Sequence, residues 1–210
     1  TSDGKHIGES INVNEAEDYI FGMVLFNDWS ARDIQKWEYQ PLGPFLGKSF
    51  ASSISPWVVT LDALEPYRTA SPVQDPKPLE NLICEGDRTF DINLDVFLET
   101  EEGVETKISA SNFKHLYWNI SQQLAHHTSN GCPINVGDMM GSGTISGPTE
   151  DSFGSMLELS WGGTKPIPLN DGSTRTYLKD GDSISIKGFS DNGELRIGFG
   201  EVRTKILPSN

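Results

Sequence analysis

From Phe90 to Leu98 the chain alternates: Phe90, Ile92, Leu94, Val96 and Leu98 take one side, and Asp91, Asn93, Asp95 and Phe97 the other. A period of two marks a strand with one buried face. The turn Glu101-Glu102-Gly103 leads into Val104-Glu105-Thr106-Lys107-Ile108, which predicts a hairpin. Apolar runs at 20–26, 57–61, 156–161, 183–187 and 195–202 predict further strands. Asp180-Gly181-Asp182 and Asp191-Asn192-Gly193 break the later ones apart. Spacings of three and four at Phe113, Leu116, Ile120 and Leu124 predict a helix over 113–129, capped by Ser111 or Asn112 and ended by Gly131. Shorter helices are expected at 14–19 and 30–37. Residues 65–86, with Pro66, Pro72, Pro76 and Pro78, read as a long surface excursion. Many strands and few, short helices predict a mainly-β fold, a sandwich or rolled barrel. No shift of composition divides residues 1–210, so one domain is expected.

Composition narrows the function classes. The net charge of −14 argues against nucleic acid, because binding phosphates needs a basic face. An anionic substrate would need a locally positive site built from Lys, Arg or a metal ion. No apolar run approaches the ~18 residues of a membrane span, and the polar start Thr1-Ser2-Asp3-Gly4-Lys5 is not a signal peptide. The chain opens on Thr1 rather than Met, which leads to the expectation that residues precede it. Cys84 and Cys132 lie far apart without a CxxC, which suits a reducing compartment.

The densest chemistry is Asn27-Asp28-Trp29-Ser30-Ala31-Arg32-Asp33-Ile34-Gln35. A carboxylate where the 20–26 strand ends could ligate a hard cation. Arg32 and Gln35, three apart on a helix, share a face and could hold an oxyanion. The plain alternative is that Asp28 or Ser30 caps the helix and Arg32 pairs with Asp33 or Glu38. Lys48 stands between Gly47 and Ser49 in the apolar stretch 41–50, either as a functional cation or snorkelling over apolar surface. Its Gly-Lys-Ser string is not a phosphate loop, since position 42, where the earlier Gly belongs, is Leu. In Gly141-Ser142-Gly143-Thr144, the Thr144 hydroxyl could meet a carboxylate, or the string is an ordinary turn. Glu158, expected on a strand between Leu157 and Leu159, could orient a histidine or face solvent. His126 and His127 are a poor chelating pair and suit the C-terminus of a helix.

Together these segments resemble the fumarylacetoacetase family. Asn27-Asp28-Trp29-Ser30-Ala31-Arg32-Asp33 is shared across the wider superfamily. The narrower match lies in Gln35-Lys36-Trp37-Glu38-Tyr39, 41–50, His126-His127-Thr128-Ser129-Asn130-Gly131-Cys132, 142–148, 153–161 and Gly198-Phe199-Gly200. The resemblance implies a fold of the family's C-terminal type and hydrolysis of a β-diketo acid, fumarylacetoacetate, to fumarate and acetoacetate. It implies Arg32, Gln35, Lys48 and Glu158 as catalytic, and Gln35, Tyr39 and Thr144 as substrate-binding. It implies Asp28, Lys48 and Ser52 at a Mg²⁺ or Ca²⁺ site, with Lys48 acting there other than through its ammonium. Ser52 stands where Thr is usual. A cytoplasmic homodimer is implied as well. The family's further metal carboxylates and its base histidine match nothing in 1–210, so an upstream segment is expected to supply them. The rival expectations are an acylpyruvate hydrolase or decarboxylase of the superfamily, and a non-catalytic ligand-binding β-sandwich.

Overall fold

From Asn93 onward the alternating stretch becomes one of the two inner strands of the main sheet. In a computed structural model, which describes residue 1 and residues 3–209, β7 (Asn93–Glu99) and β8 (Glu105–Asn112) form the expected hairpin. β11 (Ser183–Asp191) and β12 (Arg196–Lys205) extend it into an antiparallel sheet of order β12-β11-β7-β8. Residues paired across an antiparallel ladder share a face. Leu98 therefore stands beside Ile184, and Val96 beside Ile186. Leu98, Ile184, Ile108 and Leu169 make one buried cluster, and Trp29, Met156 and Leu159 pack against it. A second cluster joins Leu25, Leu64, Phe90, Ile92, Phe113 and Phe199. Each such Leu, Ile or Phe contributes about 1.5–3 kcal/mol when fully buried.

Among the described residues, four two-stranded antiparallel ribbons add to this sheet. They pair β1 (Gly22–Met23) with β4 (Val59–Thr60), β2 (Phe26–Asp28) with β3 (Ser52–Ile54), β5 (Arg68–Thr69) with β6 (Thr89–Phe90), and β9 (Ile167–Pro168) with β10 (Thr174–Arg175). The helices are α1 (Arg32–Glu38), α2 (Leu61–Leu64), α3 (Ile120–Thr128) and α4 (Met156–Leu159). Strand residues outnumber helical ones, 26% to 19%, so the mainly-β expectation holds.

Several element boundaries differ from the sequence expectation, each for a local reason. The 20–26 strand divides into β1 and the start of β2. The 57–61 strand is cut short where the Thr60 hydroxyl accepts the Ala63 N–H and starts α2. The long helix is interrupted: Asn112 caps only a 3₁₀ turn over Phe113–His115, and α3 begins after Asn119. There the Asn119 side chain accepts the Gln122 N–H while Gln122 reaches back to the Asn119 N–H, a reciprocal capping box. The expected 156–161 strand is the helical turn α4, capped by Ser155. The 65–86 excursion is pinned by buried Tyr67 and Leu82 and by Arg68, whose guanidinium meets Glu17 at 2.9 Å. No described helix is long and apolar enough to cross a membrane.

Candidate functional site

The candidate residues gather where β2 ends and α1 begins. Asp28 is the last residue of β2, and β3 pairs it with Ser52, so the two side chains leave the ribbon on the same side. The Asp28 carboxylate accepts a hydrogen bond from Lys48 Nζ at 2.6 Å. The side chains of Lys48 and Asp28 are 29% and 49% exposed, so this ion pair faces open solvent. Lys48 is thus paired and does not simply snorkel over apolar surface.

Helix α1 takes no side-chain cap at Ala31; Ser30 donates to the Asp28 carbonyl instead. Asp28 is therefore free of the capping role considered for it. Arg32 and Gln35 share a face as expected, with Arg32 Nη1 donating to Gln35 Oε1 at 2.8 Å. Among the described residues no carboxylate lies within ion-pair distance of Arg32. Its charge is left for something else.

Trp29 fixes the next step of the chain. Its indole N–H donates to Ser53 Oγ at 2.9 Å, and it packs on the same buried cluster of Leu98, Ile108, Leu169 and Ile184 as Met156 and Leu159 of α4. This brings the Asp28 segment alongside the helical turn that carries Glu158. The Glu158 carboxylate is held at both oxygens, by Ser146 Oγ at 2.9 Å and Ser155 Oγ at 2.7 Å. It is half-buried rather than solvent-facing. No described imidazole is hydrogen-bonded to it.

Asp28, Arg32, Lys48, Thr144 and Glu158 all line one open cleft of about 2300 Å³. Its floor includes Leu94, Val96, Ile184 and Ile186 of the main sheet. Gln35, Tyr39 and Ser52 are not part of that lining. Gln35 reaches the cleft only through Arg32, and Tyr39 follows the end of α1, half-exposed.

The match to known proteins covers nearly all of this. The family described as fumarylacetoacetate (FAA) hydrolase C-terminal matches residues 3–207. This chain belongs to the fumarylacetoacetate hydrolase family. It is 56% identical to the fumarylacetoacetase of Homo sapiens over 207 residues, 98% of this chain and 49% of that protein. The fumarylacetoacetases of Dictyostelium discoideum and Arabidopsis thaliana are each 54% identical to it, with 97% and 98% of this chain covered and 48% and 49% of theirs. The chain thus spans about half the length of the curated relatives it matches.

Membership raises the question of a divalent ion, and the donor set of this hydrolase-family chain does not hold one unaided. Mg²⁺ and Ca²⁺ take roughly six or more oxygens. Among the described residues no group of three or more His, Cys, Asp or Glu is arranged around a metal position. Asp28 offers one carboxylate with an oxygen already bonded to Lys48, and Ser52 adds one hydroxyl on the same side. A protonated ammonium has no lone pair to give, so the contact expected of Lys48 at such a site would run through its backbone oxygen or a water. His126 and His127, at the end of α3, also belong to no such group.

Two features of the site escaped the sequence. Ser155-Met156-Leu157-Glu158 carries the spacing of a capping box, a signal that would have turned the expected strand into a helix. Glu38 is the other. Rather than pairing with Arg32, its carboxylate accepts the backbone N–H groups of Phe45, Leu46 and Gly47. No local spacing joins position 38 to 45–47.

Proposed function

We propose that this chain carries part of the active site of a hydrolase that splits a carbon–carbon bond of 4-fumarylacetoacetate, giving fumarate and acetoacetate. That reaction would place the protein in the cytoplasm, in the last step of tyrosine and phenylalanine breakdown. The observation that carries the reading is the cluster at the end of β2: Asp28 bonded to Lys48 at 2.6 Å, with Arg32 and Gln35 on the adjoining helix.

In the hydrolysis, a water oxygen adds to the ketone carbonyl carbon of the fumaryl group and gives up a proton to the base. The bond from that carbon to the neighbouring methylene breaks, and its electron pair leaves on acetoacetate as an enolate, which then takes a proton on carbon. Arg32 and Lys48 are cations at the cleft, suited to the charge that develops on the departing enolate. The Gln35 amide N–H groups, with Oε1 occupied by Arg32, are left to donate to a substrate oxygen. Tyr39 and Thr144 are assigned to substrate binding. Glu158, clamped by two serines, is assigned to orienting a base histidine supplied from outside residues 1–210. Asp28, with Ser52 beside it, is assigned as one part of a Mg²⁺ or Ca²⁺ site completed in the same way.

Two apolar surfaces support assembly, with the rest of the same protein and with a second copy as a homodimer. One is the exposed set Trp37, Leu42, Phe45, Leu46 and Phe50, in which Trp37 is 90% exposed. The other is the apolar lining of the cleft where Met139 and Met140 are exposed.

The test is the loss of fumarylacetoacetate absorbance with the full-length protein and Mg²⁺. Lys48→Met is expected to lower kcat by about 10²–10³-fold. Its melting temperature should hardly move, because a solvent-facing ion pair is worth about 1 kcal/mol or less. No turnover of this substrate, with turnover of an acylpyruvate instead, would transfer the chain to that activity.

A further inference from the structure

Glu38 is the last residue of α1, and a carboxylate there opposes the partial negative charge of the helix C-terminus. A local rule broken in this way calls for a compensation elsewhere. Here the compensation is a row of three consecutive backbone donors. Oε1 accepts from Phe45 N–H at 2.8 Å and Gly47 N–H at 2.6 Å, and Oε2 accepts from Leu46 N–H at 3.1 Å. Successive N–H groups converging on one anion make a nest, and each bond to an ionised acceptor is stronger than a neutral one. The Gly47 N–H, more than those of Phe45 and Leu46, holds the Glu38 carboxyl below the ordinary glutamate range against the opposing effect of desolvation.

Gly47 is buried between this carboxylate and the start of the same helix. Its carbonyl accepts the Ala31 N–H at 2.9 Å. A Cβ on Gly47 would stand 2.8 Å from the Gln35 nitrogen, so the loop lies directly on the helix backbone. The very next residue is Lys48, whose ammonium reaches Asp28. One side chain therefore ties together the helix that presents Arg32 and Gln35 and the loop that presents Lys48.

We propose that Glu38 is a positioning residue: by gripping the 45–47 backbone it sets the Lys48 ammonium relative to Asp28, Arg32 and Gln35. The proposal rests on the catalytic role assigned to Lys48 above. Glu38 touches no reacting atom in it and acts wholly through Lys48.

The experiment compares full-length parent, Glu38→Ala, Glu38→Gln and Gly47→Ala by amide exchange at 45–47, by kcat and KM for fumarylacetoacetate, and by melting temperature. In Glu38→Ala those three amides should exchange at least ~10-fold faster, as expected for local opening. Its kcat should fall by about 10–100-fold, the scale of a misplaced catalytic group, with KM changed much less. Glu38→Gln keeps an oxygen at the Oε1 position and should recover a large part of that loss. Gly47→Ala displaces the loop from the other side and should reproduce the kcat defect. The latter two variants carry the test should Glu38→Ala fail to fold.

The proposal is overturned if kcat stays at the parent value while the amides open, or if the amides stay protected in Glu38→Ala. A lower melting temperature with unchanged kcat would make Glu38 a stability residue only, which also overturns it. If the parent itself fails to turn over fumarylacetoacetate, the functional reading falls, and amide exchange alone then decides whether Glu38 holds the loop.

Discussion

Glu38 also gives the site a definite response to acid. Its folded-state pKa lies below the ordinary 4.5, chiefly through the Gly47 N–H. A depressed carboxylate contributes stability above its unfolded pKa and loses it as pH falls through the folded value. Protection of the Phe45, Leu46 and Gly47 amides, corrected for intrinsic exchange, should therefore hold level down to about pH 4.5 and fall below it. In Glu38→Gln the level should be lower and flat over the same window, while amides of β11 in the main sheet change equally in both proteins. Loop protection in the parent that is already lost at pH 6 would contradict this. At the residue scale, what was legible in the sequence was the kind of group and its neighbours in the chain. Asp28 at a strand end and the Arg32–Gln35 face follow from spacing of one to three residues. The bond between Lys48 and Asp28 spans 20 positions, and the Glu38 nest seven to nine. Only the folded chain brings such partners together.

Among the elements, the strands were legible wherever alternation ran long enough, as in β7 and β11. The differences at 113–129 and 156–161 share one cause: polar caps decide the element where apolar spacing alone suggests another. Phe113, Leu116, Ile120 and Leu124 keep a helical spacing, yet Asn112 and Asn119 each cap a separate turn. Likewise Met156 to Leu159 is apolar enough for a strand, but Ser155 caps it as a helix. These caps carry measurable energy. Asn119 is buried, and its side chain satisfies the Gln122 N–H at 3.0 Å. Asn119→Ala should destabilise the protein by about 1 kcal/mol, within the ~0.5–2 range of lost caps. The change in urea midpoint at constant m-value measures it. Activity of the folded protein should stay at the parent level, because α3 places no assigned catalytic group. A loss of turnover without a loss of stability would mean that α3 contributes to the site directly.

On the scale of the whole molecule, the metal question turns on how many oxygens an acidic chain can fix around one point. Residues 1–210 carry a net charge of −14, which draws divalent ions nonspecifically, yet a tight site needs several oxygens fixed on one point. The described residues offer no such group of three, and one oxygen of Asp28 is already engaged by the Lys48 ammonium. An incoming ion would have to compete with that ammonium for the carboxylate. Calorimetric titration of Ca²⁺ or Mg²⁺ into residues 1–210, after circular dichroism has shown that they fold, should therefore find no site tighter than about 1 mM, the weak end of protein calcium sites. The full-length protein should bind at least ~10-fold more tightly, and Asp28→Asn in that protein should lose at least ~10-fold, as the removal of a contributing group does. The two halves of the outcome carry different meanings. Tight binding by residues 1–210 alone would show that the donors reside in this chain and that the Asp28–Lys48 pair opens to admit the ion. Tight binding by the full-length protein that Asp28→Asn leaves untouched would remove Asp28 from the metal site and leave it as the partner that holds Lys48 in place.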